Sequence, residues 1–239
     1  MALSTFAVSA NAELVTNGGF ETTTSGPGQL GNNTNATGWT NLHSSPGVWG
    51  YNFIFSPNTA DTTGSPGIYG AVSLWGPNNG SANGLTSSPN GGNFVAGDGA
   101  FQIGAITQTI NGLHAGNKYT VGFYYAGAQQ HGFTGPNTEA WIVGFGSDPT
   151  QETPILSNSS EGFTGWRHES FTFTADGTSD VLSFLAAGTP NGVPPFSLLD
   201  GVSVNNASVP EPGSVTLLVS LVGLIGGLGI RRFGNRSKS

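Results

Sequence analysis

A two-residue rhythm constrains this chain more than any other feature. In residues 118–125, Tyr119, Val121, Phe123 and Tyr125 fall on one side of an extended backbone, with Thr120 and Gly122 on the other. Successive side chains of a strand point to opposite faces, so this alternation predicts a half-buried strand and argues against an amphipathic helix. The beat returns at Trp141, Val143 and Phe145, then at Phe171 and Phe173 against Thr172 and Thr174. Leu182 and Phe184 follow an Asp176-Gly177 turn, and residues 198–204 close the series. Gly and Asn clusters part these runs, and no convincing amphipathic helix precedes residue 209. Short alternating strands with regular turn signals predict an all-β antiparallel sandwich.

Residues 22–93 do not share the rhythm. They are thick with Gly, Asn, Ser, Thr and Pro, with aromatics scattered among them. Structureless loops beyond about 15 residues are unusual in compact domains. Short strands and elaborated loops are therefore expected here, best at residues 48–55 and 68–75. No internal repeat or second domain boundary is evident.

Charge excludes some functions. Of six Lys and Arg, only Lys118 and Arg167 lie before residue 209, whereas the chain carries 13 Asp and Glu. A basic nucleic-acid-binding surface is not available. With no cysteine, disulfides, thiol chemistry and a lipid-bearing Cys are all excluded. His43, His114, His131 and His168 show no close metal spacing, and there is no Gly-x-Ser-x-Gly elbow. Gly97-Asp98-Gly99 lacks the rest of a dinucleotide fingerprint and reads as a turn. Two carboxylates can converge in a fold for glycoside hydrolysis, but nothing in the sequence selects a pair. No enzyme is expected.

The two ends carry addresses. The uncharged run 213–230 spans about 27 Å as a helix, near the roughly 30 Å of bilayer hydrocarbon. A single transmembrane helix is expected there. Arg231, Arg232, Arg236 and Lys238 follow it and should hold the 231–239 tail on the cytoplasmic side. Just before it, Pro210 and Pro212 keep Val209-Pro210-Glu211-Pro212 extended, the shape that processing enzymes bind. This order of Val-Pro-Glu-Pro, one span and an Arg-rich end resembles the PEP-CTERM sorting signal of Gram-negative bacteria. The resemblance covers residues 209–239 and implies processing by exosortase near the Pro-Glu-Pro. The alternative is an ordinary single-pass anchor. At the other end, Ala10-Asn11-Ala12 has the small-x-small form of a signal-peptidase site. A basic start and a longer apolar core are missing, so residues 1–12 are expected to be a signal-peptide remnant for the Sec export machinery, with the true start upstream. Residues 13–208 are then the exported domain.

The body carries a second, more diffuse resemblance. Leu14-Val15-Thr16-Asn17-Gly18-Gly19-Phe20-Glu21 resembles the opening strand of galactose-binding-like jelly rolls, which include many carbohydrate-binding modules. Gly38-Trp39 resembles their next strand, residues 108–125 their middle strands, and residues 166–204 their Phe-x-Phe-Thr-Ala and Leu-Leu-Asp-x-Val-x-Val finish. The resemblance implies a jelly-roll-type sandwich.

Asp200 shares strand parity with Leu198, Val202 and Val204, so alternation turns its carboxylate inward with them. A buried carboxylate needs a partner, and with two cations in the body a metal ion or backbone N–H groups at a sheet corner are the candidates. In the modules resembled, a structural calcium often ties the first strand to the last, and Glu21 and Asp200 sit where that resemblance places the ion. Sugar rings pack their C–H faces on exposed aromatics while amides and carboxylates bond the hydroxyls. Trp39, Trp141 and Trp166 stand in strand-like contexts and are expected in the core. Trp49, Tyr51, Tyr69 and Trp75 are the better glycan-binding candidates, with Gln129, Gln130 and His131 as polar partners. The plainer reading has these aromatics pinning loops to the sandwich. The leading expectation is an exported, non-enzymatic structural or adhesive protein of an exopolysaccharide matrix. A glycan-binding module with a defined pocket comes second, and a secreted glycoside-active enzyme third.

Overall fold

The computed structural model describes residues 13–207. The expected signal remnant, the Val209–Pro212 motif, the 213–230 helix and the basic end lie outside the described residues. The strands in chain order are β1 (Gly28–Gln29), β2 (Thr40–Asn41), β3 (His43–Ser45), β4 (Val48–Trp49), β5 (Asn52–Phe55), β6 (Phe94–Asp98) and β7 (Ile106–Asn111). They continue as β8 (Lys118–Gln129), β9 (Asn137–Phe145), β10 (Gln151–Glu152), β11 (Leu156–Asn158), β12 (Arg167–Thr174), β13 (Ser179–Thr189) and β14 (Pro195–Asn206). No helix occurs among the described residues.

The protein is an all-β, two-sheet antiparallel sandwich. One sheet has the order β1-β5-β6-β14-β8-β12. The other has the order β10-β9-β13-β7-β2, with β11 also on β9, and β3 and β4 form a separate hairpin. Alternation in the sequence becomes the interior between the sheets: Tyr119, Val121, Phe123 and Tyr125 of β8 share one buried cluster with Trp141, Val143 and Phe145 of β9 and Leu182 and Phe184 of β13.

A second core explains the unrhythmic first half. Phe53 and Phe55 of β5, Phe94 and Ala96 of β6, Ala126 and Ala128 of β8, and Phe196 and Leu198 of β14 cluster on the outer face of the first sheet. Ala60, Val72 and Leu74, from the segment between β5 and β6, cover them. Ile54 and Val95 point the other way, into the inter-sheet core. β5 and β6 are thus buried on both faces, which is why they read as continuous apolar runs.

Three local expectations are corrected. Residues 68–75 form no strand but only isolated bridges, Ser65 with Val72 and Leu74 with Gln130; the segment spends its apolar side chains as a cover. Residues 14–21 also form no strand. Asn17 and Phe20 take positive φ of 55° and 57°, and the Asn17 side chain bonds Thr22 and the Thr37 carbonyl, closing a turn. The Gln108 amide holds that segment through both the N–H and the carbonyl of Thr16. Finally, the β14–β8 register slips between Asp200 and Ser203, with Gly201 at φ 59°. An extra residue of this kind reverses strand parity. Val202 and Val204 therefore lie between the sheets, whereas Leu198 lies under the outer cover. Asp200 is fully buried on the Leu198 side, not inward with the valines.

Candidate functional site

A cavity of about 250 Å³ opens where β6, β8 and β13 run out. It is lined chiefly by Tyr51, Asp98, Phe101, Gln130, Phe133 and Asn191. Tyr51 forms one wall, 6 % exposed, held edge-on between Phe53 (4.7 Å) and Phe101 (5.2 Å). Phe101 and Phe133 are 43 % and 39 % exposed, and Tyr69 at the rim is 65 % exposed. Tyr69 leans on Phe101 at 6.1 Å, and its hydroxyl accepts a bond from Gln102 Nε2 at 2.8 Å.

Asp98 ends β6 and is only 3 % exposed. Its Oδ1 accepts the N–H groups of Ala100 (2.8 Å) and Phe101 (3.1 Å). Burial pushes its carboxyl up to about 6, against the pull of those two amides. Burial, then the charge of Asp98, pushes the Tyr51 phenol up to about 12. A neutral phenol, a hydrogen-bond-hungry carboxyl, two amide side chains and three aromatic rings thus converge on one hollow. This is the equipment needed to grip a polyhydroxylated ring by its face and edge.

The fold sorts the sequence candidates. Tyr51 and Gln130 line the cavity and Tyr69 stands at its rim. Trp75 donates Nε1–H to the Phe133 carbonyl at 2.7 Å, and His131 packs edge-on against it at 4.4 Å. That pair braces the loop carrying Phe133. Trp49 lies elsewhere, stacked on His43 at 3.8 Å in the β3–β4 hairpin. Gln129 is fully buried, and the fold uses its amide at both ends: Nε2 donates to the Gly135 carbonyl and Oε1 accepts Glu161 N–H. It has no surface to offer a ligand. Trp39 and Trp141 are core residues, 7 % and 0 % exposed. Trp166 is not. It precedes β12, donates Nε1–H to the Thr86 carbonyl and lines an open groove with Asn83, Thr86 and Phe163.

Sequence reasoning missed Asp98, Phe101, Phe133 and Asn191. For Asp98 a signal existed: a carboxylate ending the apolar run Phe94-Val95-Ala96-Gly97 must be buried or at a rim.

Asp200 is also built as a polar node. Ser88 Oγ donates to its Oδ2, and Asn90 Nδ2 (3.4 Å) and Gly201 N–H (2.6 Å) donate to Oδ1. Burial raises its carboxyl to about 6, and the like charge of exposed Glu21 adds to the rise. Glu21 in turn accepts Asn93 N–H at 2.8 Å. Two carboxylates therefore sit side by side with hydroxyl and amide neighbours, a donor set suited to an oxygen-seeking cation such as calcium. Among the described residues no three His, Cys, Asp or Glu side chains come together so as to hold a metal ion, so neutral oxygens would have to complete such a shell.

A third carboxyl, Glu139 of β9, is 1 % exposed between the sheets. Its Oε1 accepts from Asn158 Nδ2 at 3.3 Å, while Oε2 has no hydrogen-bond partner. Burial pushes it up to about 8. Gly127 of β8 makes the room, since a Cβ there would lie 2.3 Å from Oε2.

No protein-family model and no curated protein matches the chain. Among solved structures it is similar to the K3 cleaved adhesin domain of Lys-gingipain from Porphyromonas gingivalis, with TM-score 0.45, 14 % identity, and 83 % of this chain and 100 % of that one covered. It is also similar to TmCBM61, solved in complex with β-1,4-galactotriose (TM-score 0.38, 14 % identity, 82 % and 99 % covered). The CBM22-1 xylan-binding domain of Paenibacillus barcinonensis Xyn10C is a third (TM-score 0.34, 13 % identity, 85 % and 100 % covered). With TM-scores below 0.5, these likenesses carry no argument about ligand or role.

Proposed function

We propose that this chain is a non-catalytic, glycan-binding adhesive protein of the bacterial exterior, with its ligand seated in the Tyr51–Asp98 cavity. One observation carries the reading: exposed Phe101, Phe133 and Tyr69 surround a hollow whose floor holds polar groups free to meet hydroxyls. An exopolysaccharide is the partner expected of such a site in a matrix protein. The sandwich is read as a jelly roll, supported by the order β6-β14-β8-β12 in one sheet against β7-β13-β9-β11 in the other.

The test is retention of the chain on immobilised polysaccharides. Phe101→Ala removes a stacking platform worth about 1 kcal/mol, so its affinity is expected to fall at least fivefold. Trp49→Ala, on a hairpin outside the cavity, should bind as the wild type does. Absence of retention on any polysaccharide, or equal retention of Phe101→Ala, would end this reading.

The tail belongs to the same proposal as a sorting signal. Val209 to Pro212 would be the site read by exosortase, with the 213–230 span and Arg231, Arg232, Arg236 and Lys238 holding a precursor in the inner membrane, its body in the periplasm. Processing would then release the body to the cell surface or matrix. Replacing Pro210, Glu211 and Pro212 with alanine should leave only precursor on a blot of whole cells. A mature form of unchanged size in that variant would refute the signal.

A further inference from the structure

The floor of the cavity points to one class of sugar. Asp98 is nearly enclosed and spends a single oxygen, Oδ1, on both the Ala100 and Phe101 amides. Among the described residues no hydrogen bond engages Oδ2. No fixed cation of the body is at hand to answer it. Lys118 begins β8, about 40 Å of extended chain from Gln130. Arg167 pairs opposite Tyr125, roughly 17 Å back along the same strand. His131 packs on Trp75 outside the lining. Around the carboxylate stand Tyr51, Phe101 and Phe133, and aromatic faces attract cations through their quadrupole. A carboxylate without a counter-charge inside an aromatic enclosure is a site for a ligand ammonium, and it would repel a uronate.

We propose that the cavity selects a polysaccharide bearing free amines, with the ammonium of a hexosamine residue meeting Asp98 and its pyranose face lying on the exposed phenylalanines. This rests on the glycan-binding reading and narrows it. Neutral sugars can still pack on the rings, but they leave the carboxylate unanswered. N-acetylation removes the charge.

Calorimetry with the full chain and three β-1,4-linked hexamers tests this, because glucosamine, N-acetylglucosamine and glucose hexamers differ only at C2. The glucosamine hexamer should bind at least tenfold tighter than either of the others. Asp98→Asn, which keeps an oxygen for the Ala100 and Phe101 amides, should bring the ratio near one. Glu152→Gln, a change at an exposed carboxylate on β10, should leave the ratio intact. Equal affinities in the wild type, a preference that survives in Asp98→Asn, or an equal loss in Glu152→Gln would each overturn the proposal. The last of these would mean that the overall negative field does the selecting. Binding of the glucose hexamer as tightly as the glucosamine hexamer would overturn it while leaving the glycan reading in place. Binding of no hexamer, together with no retention on any polysaccharide, would overturn both. Choline is the control for an ammonium without a sugar: failure to displace the hexamer supports the assignment, and displacement at equal concentration overturns it.

Discussion

Raising the pH from 6.5 to 8.5 should lower the melting temperature of this protein by about 4–8 °C, and Glu139→Gln should be nearly indifferent to the same change. The sign follows from proton counting. Glu139 carries a folded-state pKa of about 8 against an ordinary 4.5, so between those values the folded chain holds a proton that the unfolded chain has lost. Stability is then greatest below about 4.5 and falls as pH rises towards 8, levelling above it. At about 1.4 kcal/mol per unit of separation the whole window is worth roughly 5 kcal/mol. About 2 kcal/mol of that falls above pH 6.5, or 2–4 °C per kcal/mol for a domain of this size. Asp98 and Asp200, raised only to about 6, have nearly finished by then, which isolates Glu139. The glutamine retains the carbonyl that Asn158 bonds and never ionises. Equal pH slopes in the two proteins, or a wild type that gains stability with pH, would show that Glu139 is not the buried acid described here.

Removing calcium is the second large perturbation. If Glu21 and Asp200 hold the ion, millimolar calcium at about a hundredfold above its Kd adds roughly 2.7 kcal/mol, and a chelator should lower the melting temperature by about 5–10 °C. Asp200→Asn should melt at one temperature with or without calcium. The ion would join the N-terminal turn to β14, where Val202 N–H already bonds the Gly18 carbonyl at 3.0 Å. A wild-type midpoint unmoved by chelator would leave Asp200 as a cap for Ser88, Asn90 and Gly201 alone.

How much of this was legible in sequence depends on what each residue had for a neighbour. The inter-sheet core was readable because Tyr119, Val121, Phe123 and Tyr125 alternate against small polar residues, and alternation is a local property. The second core was not. Phe53, Ile54 and Phe55 are consecutive and all buried, so their period says only that water is absent on both sides. The cover over them is a glycine-rich segment with no periodicity of its own. At the cavity, Tyr51, Tyr69 and Gln130 were found by residue type. Phe101, Phe133 and Asn191 were missed because three separate loops deliver them, and no spacing encodes the meeting of loops. Gln129 misled for a similar reason: only the structure shows that Gly135 and Glu161 consume its amide.

The slipped register at Gly201 gives β14 two allegiances. Up to Asp200 its even-numbered side chains serve the outer cover; from Val202 they serve the interior. The single inserted residue works as a commutator, reversing which compartment the same numbering addresses. Deleting Gly201 would close the ladder without a break, Asp200 opposite Tyr124, Val202 opposite Phe123 and Ser203 opposite Gly122, and both valines would keep their places in the greasy gap. What the extra peptide unit adds is a kink beside the acidic node, where Val202 N–H leaves the ladder for the Gly18 carbonyl and moors the start of the chain to its last strand.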